Sequence, residues 1–212
     1  GDAYPLARTK TTADSLPVSC QFSRDLATIR RLRDFIRLGA AGNKREGKMD
    51  RKRLEQGLIQ VYTGEGKSRT MAALGLALRA IGHGLKVLLV RFLPDEEIED
   101  IRAVQLFGDR FQVRQAGLAE LLQEGEATPA AIRRAEEMLA SAHRILQQGD
   151  FDLVILDQIN AALKLRLLQV SQVLQVITHR APHVEVVLTG PAAPLELIAA
   201  ADLVTEMVDL KG

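Results

Sequence analysis

The sequence predicts an α/β fold in which a parallel sheet is covered by helices on both faces. From Leu58 onward, short runs rich in Val, Ile and Leu alternate with longer helical stretches, and strands buried on both faces have this composition. Such alternation is typical of parallel strands joined by right-handed crossovers. The 212 residues accommodate one α/β domain, predicted at residues 57–212, and a basic, partly flexible and partly helical N-terminal extension, residues 1–56.

Six runs are predicted as strands and three stretches as helices. The strands are Leu58–Tyr62, Lys86–Leu93, Phe111–Arg114, Phe151–Leu156, Val184–Thr189 and Leu203–Val208. The helices are Thr70–Ile81, Pro129–Gln148 and Gln169–Arg180. Gly82 gives the first helix a C-terminal stop, and Thr128 gives the second an N-cap ahead of its proline. Ligands of such sheets bind at the carboxyl ends of the strands, so we expect the site there.

Composition excludes several classes of protein. The longest apolar runs, such as Val87–Val90, are far shorter than the roughly 20 residues that span a bilayer. Cys20 is the only cysteine, which rules out an internal disulfide or a cysteine metal cluster and favours a reducing, cytoplasmic location. The chain has no Trp and only 4% aromatic residues, so a stacking surface for single-stranded nucleic acid is not expected.

Charge separates the extension from the rest of the chain. Residues 1–56 carry 13 Lys and Arg against 7 Asp and Glu, a net +6, and the remainder carries −5. Within the extension, Arg24–Leu38 has apolar residues at helical spacing among its arginines. Two interpretations stay open: a helix packed on its own domain or a second subunit, or a surface helix for anionic lipid or nucleic acid.

A glycine-rich turn joins the first predicted strand to the first predicted helix. Exposed backbone N–H groups and the positive helix end converge on an anion in such a turn, so it predicts a phosphate-binding loop. Compared with G-x-x-x-x-G-K-[ST], only Thr70 fits the pattern fully. Lys67 is predicted as a phosphate ligand, and the Thr70 hydroxyl as a nucleotide-site ligand or merely the helix N-cap. The predicted nucleotide-binding residues are Thr63, Gly64, Glu65, Gly66, Lys67, Ser68, Arg69 and Thr70.

An acidic residue closes a later strand. Asp157 follows the run Phe151–Leu156 at the same edge of the predicted sheet as the loop. With Thr70 it predicts a Mg²⁺ site, reached directly or through water. His83 lies between two glycines and is interpreted as a turn residue.

Several collinear segments resemble the ATP:corrinoid adenosyltransferases. They are Thr63–Thr70, Leu78–Gly84, Leu153–Asp157, Leu188–Gly190 and Ala201–Met207. The resemblance covers about residues 50–208 and implies a P-loop NTPase-like (RecA-like) fold, a homodimer and Mg-ATP as substrate. It implies transfer of the 5′-deoxyadenosyl group of ATP to Co(I) of a corrinoid, with triphosphate as the leaving group. It also implies a short helix before the first strand, at Lys44–Gln56.

The sequence departs from the family pattern on both the phosphate and the corrinoid side. The family's second loop glycine and lysine are Ser68 and Arg69, and its Glu after the fourth strand is Gln158. After the second strand the family has Gln-Phe-x-Lys-Gly, and this chain has a different sequence at residues 91–95. The family's aromatic segment, which helps to cover the corrinoid, is replaced by the non-aromatic residues 117–120. Two hypotheses therefore stay open: a corrinoid adenosyltransferase, or a non-catalytic relative that binds nucleotide and acts through protein contacts.

Overall fold

The computed structural model describes residues 53–64, 66–93, 106–118, 122 and 126–211. The predicted helix Arg24–Leu38 and the loop residue Glu65 lie outside these ranges. Arg53–Gln56, the described end of the expected short helix, is not helical. No helix in these ranges is long and apolar enough to cross a membrane.

The prediction of a parallel sheet is confirmed, and the six predicted strands are all present. They are β1 (Ile59–Gly64), β2 (Val87–Arg91), β3 (Phe111–Gln115), β4 (Leu153–Asp157), β5 (Glu185–Thr189) and β6 (Leu203–Met207). Their order in the sheet is β3-β2-β4-β5-β1-β6, and each pairing is parallel. Strand β5 thus separates β1, which leads into the glycine turn, from β4, which ends at Asp157.

The three predicted helices are present; Pro129–Gln148 has the predicted ends, and the ends of the other two differ by one or two residues. They are α1 (Ser68–Gly82), α2 (Pro129–Gln148) and α4 (Val170–Thr178), and two short helices, α3 (Ile159–Lys164) and α5 (Leu195–Ala200), were not predicted. Thr128 caps α2 as expected, because its side chain accepts from the backbone N–H of Ala131 at 3.1 Å. His83 ends α1 in a turn, which confirms its interpretation.

Helices cover both faces of the sheet. Alternate residues of β2 point to opposite faces, so Val87 and Leu89 pack with α1 while Leu88 and Val90 pack with the other helices. Leu54, from the segment before β1, is buried in the α1 layer. This arrangement aligns the carboxyl ends of β1, β2, β4 and β5 along one edge, where the site lies.

Candidate functional site

The glycine turn begins beside the carboxyl end of β6. Gly64 has φ +108° and pairs with Met207, whose carbonyl oxygen lies 2.0 Å from the position that a β-carbon would take, so no side chain fits there. Gly66 has φ +79°, and a β-carbon on it would lie 2.7 Å from Oδ2 of Asp209. Both glycines therefore allow a close approach of backbone that other residues would obstruct. They also leave the carboxylate of Asp209 at the mouth of the turn.

Helix α1 begins immediately after the turn, at Ser68. Its N-cap is Lys67, which is exposed. Ser68 has helical backbone geometry, so its replacement of a glycine causes no left-handed strain there. The interpretation of Thr70 as the N-cap is wrong, because Thr70 is the third residue of α1. Its hydroxyl is thus available for the centre of the site.

Arg69 turns inward from the first turn of α1. Its side chain is buried, and Nη1 donates to the carbonyl oxygen of Gly64 in the glycine turn. The Nε atom is buried with no hydrogen-bond partner in the part of the chain that the structure describes. Arg69 therefore brings a positive charge under the turn while contacting the backbone of the turn itself.

Asp157 is the centre of the site. It is fully buried, and its Oδ1 accepts hydrogen bonds from the Thr70 hydroxyl at 2.8 Å and the Thr189 hydroxyl at 2.7 Å. The Thr189 oxygen in turn accepts from the backbone N–H of Gln158 at 2.9 Å. The structure thus joins the predicted pair Thr70 and Asp157, and it adds Thr189, which was not among the predicted site residues.

The second oxygen of Asp157 faces an arginine. Nε of Arg91 lies 3.3 Å from Oδ2, and both side chains are almost completely buried. Arg91 and Asp157 are register partners on adjacent strands β2 and β4. Arg91 was not among the predicted site residues either, although a single charge at the end of an otherwise apolar strand is a signal that could have identified it.

The backbone after Asp157 turns sharply. Gln158 has φ +60°, in the left-handed region that costs a non-glycine residue of order 1 kcal/mol. It is the N-cap of α3, whose second residue, Asn160, is fully buried and donates to the carbonyl of Gly190 at 3.2 Å. Gly190 begins the loop that follows β5, and Thr63 stabilises that loop, because its hydroxyl accepts from the backbone N–H of Ala193 at 3.1 Å. The loop after β5 therefore connects the end of β1, through Thr63, to the segment that follows β4, through Asn160.

A Mg²⁺ ion at Thr70 and Asp157 is the metal that the sequence predicts. The oxygen atoms are of the kind that Mg²⁺ prefers. However, Oδ1 already accepts two hydrogen bonds and Oδ2 is neutralised by Arg91. No group of three or more His, Cys, Asp or Glu residues that could hold a metal lies within the described ranges. The residues present therefore do not fit an ion bound directly to Asp157.

Gly117 and Leu118 are the described part of the segment that replaces the aromatic residues of the family, and Leu118 lies in the core. Gly117 has φ +65°, and Leu118 is fully buried in the layer formed with α2. Leu118 thus contributes to packing and presents no surface to a ligand.

A separate polar group is buried away from the glycine turn, at the start of β5. Burial raises the pKa of Glu185 to about 7, and its Oε1 accepts from Nε2 of Gln60 at 2.5 Å. Tyr62 donates to Oε1 of Gln60 at 2.9 Å, and burial, with Glu185 nearby, raises its pKa to about 12. This group lies at the starts of β1 and β5, away from the glycine turn, and links the two strands.

Comparisons with known proteins match most of the chain. A model of the family described as ATP:corrinoid adenosyltransferase BtuR/CobO/CobP matches residues 55–212. The corrinoid adenosyltransferase of Escherichia coli (strain K12) is 34% identical over 158 residues, 74% of this chain and 79% of that protein. The corrinoid adenosyltransferase of Pseudomonas aeruginosa is 36% identical over 163 residues, 76% and 79% of the two chains.

Among solved structures, the flagellar accessory protein FlaH from Methanocaldococcus jannaschii aligns with a TM-score of 0.54, covering 72% of each chain. Its sequence identity is 13%, so this likeness concerns the fold alone.

Proposed function

The chain belongs to the ATP:corrinoid adenosyltransferase family, and on this premise we propose that it transfers the 5′-deoxyadenosyl group of ATP to Co(I) of a corrinoid. The electron pair of Co(I) attacks the 5′ carbon of ATP and forms a Co–C bond. The bond between that carbon and its phosphate oxygen breaks, and triphosphate leaves with the bonding electrons. The observation that carries the proposal is the family match over residues 55–212, which include the glycine turn and Asp157.

The phosphates of ATP bind at the glycine turn in this proposal. Its ligands are the backbone N–H groups of the turn and of the start of α1, that of Thr70 included, together with the side chains of Lys67 and Arg69, whereas the Thr70 hydroxyl donates to Asp157. The positive end of a helix and its free amides stabilise a phosphate anion. The same groups stabilise the charge that develops on the leaving triphosphate, which lowers the barrier of the transfer step. Support comes from the position of the turn between β1 and α1.

Asp157 acts as a positioning residue in this scheme. Because its Oδ1 accepts from both Thr70 and Thr189, it holds the first turn of α1 against the ends of β4 and β5. Correct placement of the two reactants accounts for a large part of the rate in a transfer of this kind. The homodimer that the resemblance implies stays a prediction, which light scattering of the purified chain tests.

Separate binding measurements test both halves of the proposal. Calorimetry with ATP, and then anaerobic titration with a reduced cobalamin, should each give saturable binding to the purified chain. Lys67→Ala should weaken ATP binding and leave corrinoid binding unchanged. Lys86→Ala is the matched control, since Lys86 precedes β2 at the opposite edge of the sheet. Absence of corrinoid binding would contradict the proposal.

The departures at the site favour a second candidate, a nucleotide-binding relative that acts through protein contacts. The specific observations are the neutral side chain of Gln158 and the core position of Leu118. Binding of ATP without binding of any corrinoid would support this second function and contradict the first.

A further inference from the structure

Arg91 is a buried cation at the centre of the nucleotide site. It ends β2, whose other residues are Val and Leu, and its side chain is 4% exposed. Among residues 53–64, 66–93, 106–118, 122 and 126–211, the charged group that contacts it is the carboxylate of Asp157, at 3.3 Å from Nε. A buried charge is stable only when it is paired, so Arg91 and Asp157 form one neutral unit.

In this pair, the guanidinium of Arg91 balances the negative charge of Asp157, which a metal ion would otherwise balance. Oδ1 of Asp157 accepts from the hydroxyl groups of Thr70 and Thr189, and Oδ2 faces the guanidinium. A divalent cation binding at Oδ2 would have to displace Arg91 into a buried position without a counter-charge. That displacement is costly, because an uncompensated buried charge is strongly destabilising.

The guanidinium also has an unused donor. Nη2 of Arg91 is buried and has no hydrogen-bond partner within the ranges that the structure describes. Arg91 and Thr70 contact opposite oxygens of the same carboxylate, so one carboxylate group separates the guanidinium from the first turn of α1. A planar guanidinium with a free N–H suits a phosphate oxygen, to which it donates a charge-assisted hydrogen bond.

We propose that the guanidinium of Arg91 takes the place of a divalent cation beside Asp157, so that this chain binds the phosphates of ATP without a metal ion. The inference rests on the proposed nucleotide site and defines its chemistry. Lys67, Arg69 and Arg91 then supply the positive charge around the phosphates. The ligand is the metal-free polyphosphate of ATP, and the metal complex is not required.

Calorimetry of ATP binding in Mg²⁺ and in EDTA tests the proposal. The native chain should change its Kd by less than about threefold between the two conditions. Arg91→Gln removes the charge and keeps a polar side chain, so its Kd should be about tenfold or more weaker in EDTA than in Mg²⁺. Arg91→Lys should keep the native pattern. Arg114→Gln is the matched control on the neighbouring strand β3, where the side chain is exposed and donates to Ser141.

Thermal unfolding without nucleotide separates a loss of ATP binding from a variant that simply folds poorly. Mg²⁺ should raise the Tm of Arg91→Gln, whose Asp157 lacks its counter-charge, and should leave the Tm of the native chain and of Arg91→Lys unchanged. If Arg91→Gln does not fold, the native chain and Arg91→Lys still test the proposal through their response to EDTA.

Three results would overturn the inference. They are a native Kd that weakens about tenfold or more in EDTA, equal metal dependence of the native chain and Arg91→Gln, and no ATP binding in either condition. The proposed transfer activity fails separately. ATP binding that does not need Mg²⁺, with no adenosyl product, would contradict the transfer activity and support this inference. Adenosyl product together with ATP binding that requires Mg²⁺ would support the transfer activity and contradict this inference.

Discussion

The hydroxyl of Thr70 donates to Oδ1 of Asp157 across 2.8 Å, although 87 residues separate the two in sequence. This hydrogen bond connects the first turn of α1 to the end of β4, and both partners are buried. Because the same oxygen accepts from Thr189, three elements of the fold meet at one carboxylate. The geometry of the proposed nucleotide site therefore depends on this contact.

Removing the Thr70 hydroxyl should disturb both binding and stability. In Thr70→Val the buried carboxylate loses one of its donors, which costs about 1–3 kcal/mol of unfolding free energy. The Kd for ATP should rise about tenfold, since the turn and α1 lose their anchor. Calorimetry and thermal unfolding measure the two effects. Thr178→Val is the control, because that exposed hydroxyl bonds only to its own helix turn and to His179; equal effects in both variants would exclude a specific role for Thr70.

The two substituted loop positions should differ in their effect on ATP binding. Arg69→Lys should tighten binding, because the side chain would release the Gly64 carbonyl and direct a compact charge to the phosphates. Ser68→Gly should give no gain, since Ser68 is helical, and should lower stability by about 0.5–1 kcal/mol. A calorimetric gain confined to Ser68→Gly would show that the backbone at residue 68, and not the charge at 69, limits binding.

The carboxylate at the mouth of the turn should oppose the nucleotide. Asp209 lies against Gly66, so Asp209→Asn removes a negative charge from the path of the phosphates. We expect a severalfold lower Kd for ATP, with the gain reduced at high salt because exposed charges are screened. Asp150→Asn, an exposed aspartate before β4, is the control. An unchanged Kd in Asp209→Asn would place the phosphates away from this residue.

Glu185 should make stability depend on pH. Its pKa is raised by burial to about 7 in the folded chain, against an ordinary 4.5, so the folded state holds the proton more tightly than the unfolded state. Stability should then fall as pH rises between about 4.5 and 7, by about 1.4 kcal/mol for each unit of pKa difference. Denaturant unfolding across this range measures the slope. Glu185→Gln should remove it, and a slope that persists in the variant would assign the effect to other groups.

Much of the fold was predictable from local composition. The apolar runs identified all six strands, because strands of a doubly covered sheet are apolar on both faces. The short helices α3 and α5 have six residues each and too few turns to show helical periodicity. Helix α3 also follows an N-cap, Gln158, whose left-handed backbone carries no signal in the sequence.

The sequence predicted those parts of the candidate site that are continuous in the chain. It did not predict the residues that become neighbours only when distant strands pair in the sheet. The loop 63–70 and Asp157 were identified, since a turn between strand and helix and an acid at a strand end are local patterns. Arg91 and Thr189 become neighbours of Asp157 only through the strand order β2-β4-β5. Arg91 changes the chemistry most, because its charge acts on the carboxylate that the sequence assigned to a metal.

One measurement tests the proposed transfer most directly. The purified chain is incubated without oxygen with ATP and reduced cobalamin, and the adenosylated corrinoid and free triphosphate are quantified by mass spectrometry. We predict equal amounts of the two products, formed slowly by the native chain and by the Lys86→Ala control, and strongly reduced in Lys67→Ala. Bound ATP with no adenosylated corrinoid, or release of phosphate without triphosphate, would contradict the proposal that this chain catalyses the transfer of the adenosyl group to a corrinoid.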